Sequence, residues 1–145
     1  MNEGGVFRQV WGDLRGEFFQ NAFQLGALYV DVSNDTVTPT KPKVEILPFA
    51  DANFVPIIDF HHFARIAERY WKSRLYPNHV LPELAPYFPW VAVDPQGAVR
   101  LCEATDYMLA LATLGRFEST EAVLREPAMP VEVFDAVARA MQGLK

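Results

Sequence analysis

The apolar positions in the first third of the chain follow two different periods. Across residues 6–22, Phe7, Val10, Trp11, Leu14, Phe18 and Ala22 fall near i, i+3, i+4, i+7 spacing. Arg8, Asp13, Arg15 and Glu17 lie largely opposite, so the pattern predicts an amphipathic helix. Gly12 and Gly16 each weaken such a helix by about 1 kcal/mol relative to alanine. Being four apart, they form a smooth strip for the close approach of another element, more readily an internal one than a dimer partner. Gly26 ends this helix or sits in the turn after it. From 27 to 33 the period becomes two: Leu28, Val30 and Val32 alternate with Tyr29, Asp31 and Ser33, as in a half-buried strand. Asn34-Asp35 reads as a tight turn. Residues 36–38 then begin a returning strand that Pro39 and Pro42 interrupt, and 44–49 is the next strand.

A helical period returns at 59–75. Asp59 is placed to cap it, Phe60, Phe63, Ala67, Tyr70 and Trp71 form the apolar face, and His61, Arg65, Glu68 and Lys72 form a polar stripe. Residues 77–89 hold Pro77, Pro82, Pro86 and Pro89, which leaves room for one short helical turn near 81–85 in an ordered, aromatic-bearing connector. Segments 90–93 and 98–101 flank Asp94-Pro95-Gln96-Gly97, whose proline and glycine suit a type I turn, so this is the clearest hairpin. Helices close the chain: 106–114 stopping at Gly115, a short one capped by Ser119, and 131–142 after Pro130, with Phe134, Val137, Ala138 and Met141 facing inward. The expected fold is a single α+β domain over 1–145, with short antiparallel hairpins forming a small sheet and about four helices packed on it.

Composition narrows the classes. The chain has 145 residues, half of them hydrophobic, which is too apolar for disorder and suits one domain. One cysteine, Cys102, makes no internal disulfide and speaks against a disulfide-stapled scaffold. The longest apolar run, 107–114, is far short of a membrane span. Glu3 and the lack of a basic leading segment speak against a secretory signal, so a cytoplasmic location is expected. The net charge of −5 disfavours a general nucleic-acid binder. That charge is unevenly spread. Residues 1–40 carry two cations against five acids, and residues 75–145 carry five against nine. Residues 41–74 carry six against four, so the long helix and the loop before it are the one basic region.

Motifs for chemistry are sparse. His61 and His62 point about 100° apart on a helix, and Glu68 lies about 10 Å along the axis from His61, so these do not share a metal. Asp59 with His62 is the best local pair, and it needs His79 or another acid to complete a site. No metal and no cofactor is expected: glycine-rich phosphate cradles and zinc spacings are absent. None of the serines sits in a nucleophile elbow, and Cys102 reads as a buried, inert thiol. What remains is His61, Arg65, Arg69, Lys72 and Arg74, interleaved with Tyr70, Trp71 and Tyr76, as a partner- or anion-binding face. The competing reading of these cations is a solvated helix face that favours the helix dipole. Tyr76, Tyr87, Phe88 and Trp90 of the connector read as packing first and partner anchors second. The expected function is a non-catalytic binding or accessory protein that recognises a protein partner, with an acidic inhibitor as one version; a homo-oligomer is compatible with this. The alternative is a small enzyme or ligand-binding domain that uses His61, His62 or His79 as acid/base or metal-ligand groups.

Overall fold

The computed structural model describes residues 5–142, so Glu3 lies outside the described residues. The protein is α+β, with two antiparallel sheets and four α-helices among the described residues. It parts into two compact units, 1–57 and 58–145.

The first unit is all β. Strands β1 (Phe7–Leu14), β2 (Phe18–Leu25), β3 (Leu28–Asp31), β4 (Glu45–Pro48) and β5 (Phe54–Pro56) form one antiparallel sheet in the order β4-β3-β2-β1-β5. The helix expected over 6–22 is therefore a hairpin. Arg15 and Gly16 take φ of 61° and 72°, and the Glu17 amide donates to the Leu14 carbonyl at 3.2 Å. Two successive positive φ values reverse the chain between strands and end any right-handed helix. Both faces of the hairpin are apolar: Val10, Leu14, Phe18 and Ala22 on one, Phe7, Trp11, Phe19 and Phe23 on the other. A strand with two apolar faces shows no period of two, and its residues then match a helical template by chance.

Gly12 and Gly16 do not share a helical strip. Gly16 is in the turn, while Gly12 lets β5 lie against β1: a Cβ at Gly12 would stand 2.9 Å from both the Phe54 ring and the Pro56 Cα. Gly26, with φ of 57°, leads the two-residue loop between β2 and β3. The tight turn at Asn34-Asp35 forms, with the Thr36 amide on the Ser33 carbonyl at 3.0 Å. No strand follows at 36–38. The loop instead folds on Asn34, whose amide donates to the Lys43 carbonyl and whose side chain donates to the Pro42 carbonyl.

The core of this unit is Leu14, Ala22, Tyr29, Ala52 and Phe54, with Val10, Phe18, Leu47 and Phe49 packed on it. Tyr29, Phe49 and Phe54 meet at ring-centroid distances of 5.8 to 6.2 Å. Next to them Asp31 is fully buried and accepts from Gln20, the Tyr29 hydroxyl and both the amide and hydroxyl of Ser33. A buried carboxylate is tolerated because its oxygens are met by donors in this way.

The second unit begins with α1 (Phe60–Trp71). Asp59 caps it as expected, accepting from the His62 amide at 2.6 Å. The helix stops four residues before the expected end. Lys72 turns left-handed with φ of 52°, and Arg74–Pro77 becomes strand β6, whose neighbours are β7 (Trp90–Val93) and then β8 (Val99–Cys102). Pairing with β7 outweighs continued helix: Leu75 is buried opposite Ala92. The connector is ordered by Asn78, fully buried, which donates to the Phe88 carbonyl and accepts from the Leu81 amide; its one short turn is Pro82–Leu84. Trp90 is core, its indole N–H on the Phe60 carbonyl at 3.2 Å, while Tyr87 is exposed.

The Asp94–Gly97 hairpin turn forms as expected. Three helices follow: α2 (Asp106–Leu114), α3 (Glu118–Leu124) and α4 (Val131–Gln142). Two sequence expectations are corrected here. Ser119 does not cap α3, which starts from Phe117; its hydroxyl accepts from the Phe60 amide at 3.0 Å and so serves the first turn of α1. On α4, Phe134 is exposed, and Val133, Val137 and Met141 make the inward face against Val91 and Met129.

Two outcomes follow from this packing. Gly12→Ala is expected to lower the unfolding free energy by about 2–3 kcal/mol, because the added methyl meets backbone that cannot move without parting β1 from β5; urea denaturation reads it. Burial, followed by the charges of Asp31 and Glu45, keeps the Tyr29 phenol protonated well above the usual tyrosine range. The unfolded chain releases this proton near pH 10 and the folded one does not, so stability falls as pH rises past about 10. Tyr29→Phe is expected to flatten that alkaline decline in the urea midpoint, measured from pH 8 to 11.

Candidate functional site

The last two turns of α1 present Arg65, Glu68, Arg69 and Lys72 on one side, opposite the buried Phe63, Ile66 and Ala67. Beyond the left-handed Lys72, β6 carries Arg74 and Tyr76 back past the helix end. Register then sets Arg74 against Val93, so the Asp94-Pro95 turn arrives at the same place. These residues, with Ser73, line a groove of about 550 Å3.

The acids in this groove have structural duties. A Glu68 carboxylate oxygen accepts from the Leu75 amide at 2.8 Å and holds the turn from α1 into β6. An Asp94 oxygen accepts from the amides of Gln96 and Ala98 at 2.9 and 2.8 Å and holds the hairpin. Arg65, Lys72 and Arg74 are exposed, and among the described residues none of the three forms an ion pair. The groove therefore offers an excess of cationic donors with the planar Tyr76 phenol beside them. Such a set suits carboxylate or phosphate oxygens, for which guanidinium supplies paired N–H donors.

Four of the five residues singled out from the sequence thus come together: Arg65, Arg69, Lys72 and Arg74. His61 does not line the groove. Its Nε2 is 2.6 Å from Glu126 Oε1 and its ring stands edge-on to Trp90. Trp71 lies under the Arg100 guanidinium at 4.5 Å, and Tyr70 is exposed. Tyr76, interleaved with these cations in the sequence, also lines the groove, whereas sequence reasoning did not place Ser73, Val93 or the Asp94-Pro95 turn at this site. The turn itself was legible; its position depends on the β6–β7 register.

The other histidines make separate structural contacts. His62 is buried and its Nδ1 accepts from the Ile58 amide at 3.3 Å. His79 Nε2 is 2.9 Å from the Leu124 carbonyl, so it carries the proton and Nδ1 is left as a buried acceptor. Among the described residues no three His, Cys, Asp or Glu side chains are grouped to hold a metal ion. No helix among them is long and apolar enough to cross a membrane. Cys102 is buried; desolvation pushes its thiol above the ordinary range, and the Arg100 charge and a backbone bond from Ala92 only partly oppose this.

Fold and site together define a small α+β protein with a cationic surface groove. Models of known protein families, curated proteins and solved structures yield no match to this chain.

Because a protonated, buried thiol is a poor nucleophile, Cys102 is expected to resist iodoacetamide at pH 8 in the native protein and to react at the ordinary rate in urea. Mass spectrometry of the alkylated chain checks this.

Proposed function

We propose that the protein is a non-catalytic binding protein of the cytoplasm that recognises a protein partner, and that its groove at the end of α1 takes an acidic segment of that partner. The observation that carries this reading is the convergence of Arg65, Lys72 and Arg74, from a helix and a strand, on one groove whose own acids are engaged by backbone amides. Cations left over after the internal bonds are counted are available to an outside carboxylate, and multiple donors in one groove favour an extended acidic chain over a single ion. The chain's net charge of −5 disfavours a long nucleic acid, whose further phosphates would meet the acidic remainder. A cytoplasmic setting suits a protein whose one thiol stays unpaired.

A fluorescent glutamate-rich peptide is the direct probe. Saturable binding that weakens with salt is expected, together with at least a tenfold loss for Arg65→Glu and for Arg74→Glu, equivalent to about 1.4 kcal/mol. Both side chains are exposed, so circular dichroism of the variants is expected to match the parent. Absence of saturable binding, or equal binding by both variants, removes the groove from this role. Tighter binding of single-stranded RNA than of the peptide removes the protein partner.

A further inference from the structure

We infer that the outer face of the five-stranded sheet, at its β3–β4 end, is the surface by which two copies of this chain associate. Register puts Phe7 opposite Leu25 and Leu25 opposite Leu28, and it puts Phe23 opposite Val30 and Val30 opposite Ile46, so these six side chains share one face. Phe7 and Phe23 stack at 5.8 Å. By the same alternation Val32 and Val44 continue this face just beyond the ends of β3 and β4. The intervening residues, among them Ala22, Tyr29 and Leu47, supply the core on the opposite side. The fold has thus used one face of the sheet and left this end of the other outside: Phe7 is 70% exposed and Ile46 60%.

Size and charge select the occupant. Phe7, Leu25, Leu28, Val32, Val44 and Ile46 are each between 40 and 70% exposed. At about 150–250 Å2 for a large ring and somewhat less for an aliphatic side chain, with the part-exposed Phe23 and Val30 added, the patch is about 600 Å2. That is the upper end of what a monomer's largest apolar patch reaches. Two copies would bury about 1,200 Å2, the lower end of the range for specific interfaces. No side chain in the patch is charged, so two chains of net charge −5 meet here without like charges in contact. Twisted sheet faces are also complementary to themselves, packing about 10 Å apart with strands near −30°, and a twofold axis closes the contact at two copies.

Sedimentation equilibrium of the full chain tests this. A dimer is expected, with Ile46→Glu and, separately, Phe7→Glu each raising its dissociation constant at least tenfold; both positions are exposed, so far-UV circular dichroism is expected to stay unchanged. Arg65→Glu is expected to leave the dimer constant as it is, so failure of the groove and failure of this face are read separately. A monomer over the whole soluble range overturns the inference. So does a dimer that both substitutions leave intact, or a monomer that sediments instead with phosphatidylcholine vesicles.

Discussion

The bond from the Leu75 amide to the Glu68 carboxylate decides where α1 ends, and the candidate site depends on that ending. One more helical turn would carry Arg74 onward along the α1 axis and leave β7 paired with β8 alone. Instead Lys72 turns left-handed, Ser73 donates to the Trp71 carbonyl, and β6 runs back beside β7. A non-glycine residue in that conformation carries a local cost. Glu68 offsets it by satisfying the Leu75 amide, early in β6, with a charge-assisted bond, and burial of Leu75 adds to this. The same carboxylate that shapes the groove is thereby engaged by a backbone amide, while Arg65, Lys72 and Arg74 stand exposed around it.

The first unit solves a different problem. Five short strands have to bury a core with few residues, and they do so with aromatic rings, Tyr29, Phe49 and Phe54, meeting over Leu14. Asp31 sits at the end of this cluster as a buried charge. Its partners come from β2, from its own strand and from the following turn, so they tie three consecutive segments into one arrangement. The outer face has no such polar constraint at its β3–β4 end, and apolar residues stand there exposed.

How much was legible follows from where each signal resided. Helix starts and turns that rest on local bonds were readable: Asp59 before α1, Gly115 after α2, and the Asp94–Gly97 turn. The β1–β2 hairpin was misread because both its faces are apolar, and its turn uses Arg15 at positive φ, a residue with no special preference for that conformation. Ser119 was assigned to the nearer helix because capping patterns are local, whereas its actual partner is 59 positions away in sequence. The basic residues Arg65, Arg69, Lys72 and Arg74 were identifiable by composition alone. His61 was grouped with them by helical spacing, and the structure turns it to Glu126 instead.

By itself, then, the sequence determined an acidic α+β chain with a basic central segment, a capped central helix and a hairpin near residue 95, because charge, caps and turns are properties of neighbouring residues. The tertiary structure decided that residues 7–25 form strands and that α1 ends at Trp71. It also decided that four cations gather around a groove, while the three histidines make separate contacts. Those outcomes depend on pairing and burial between segments far apart in the chain, and a local pattern carries no record of which distant strand will supply the partner for a given amide.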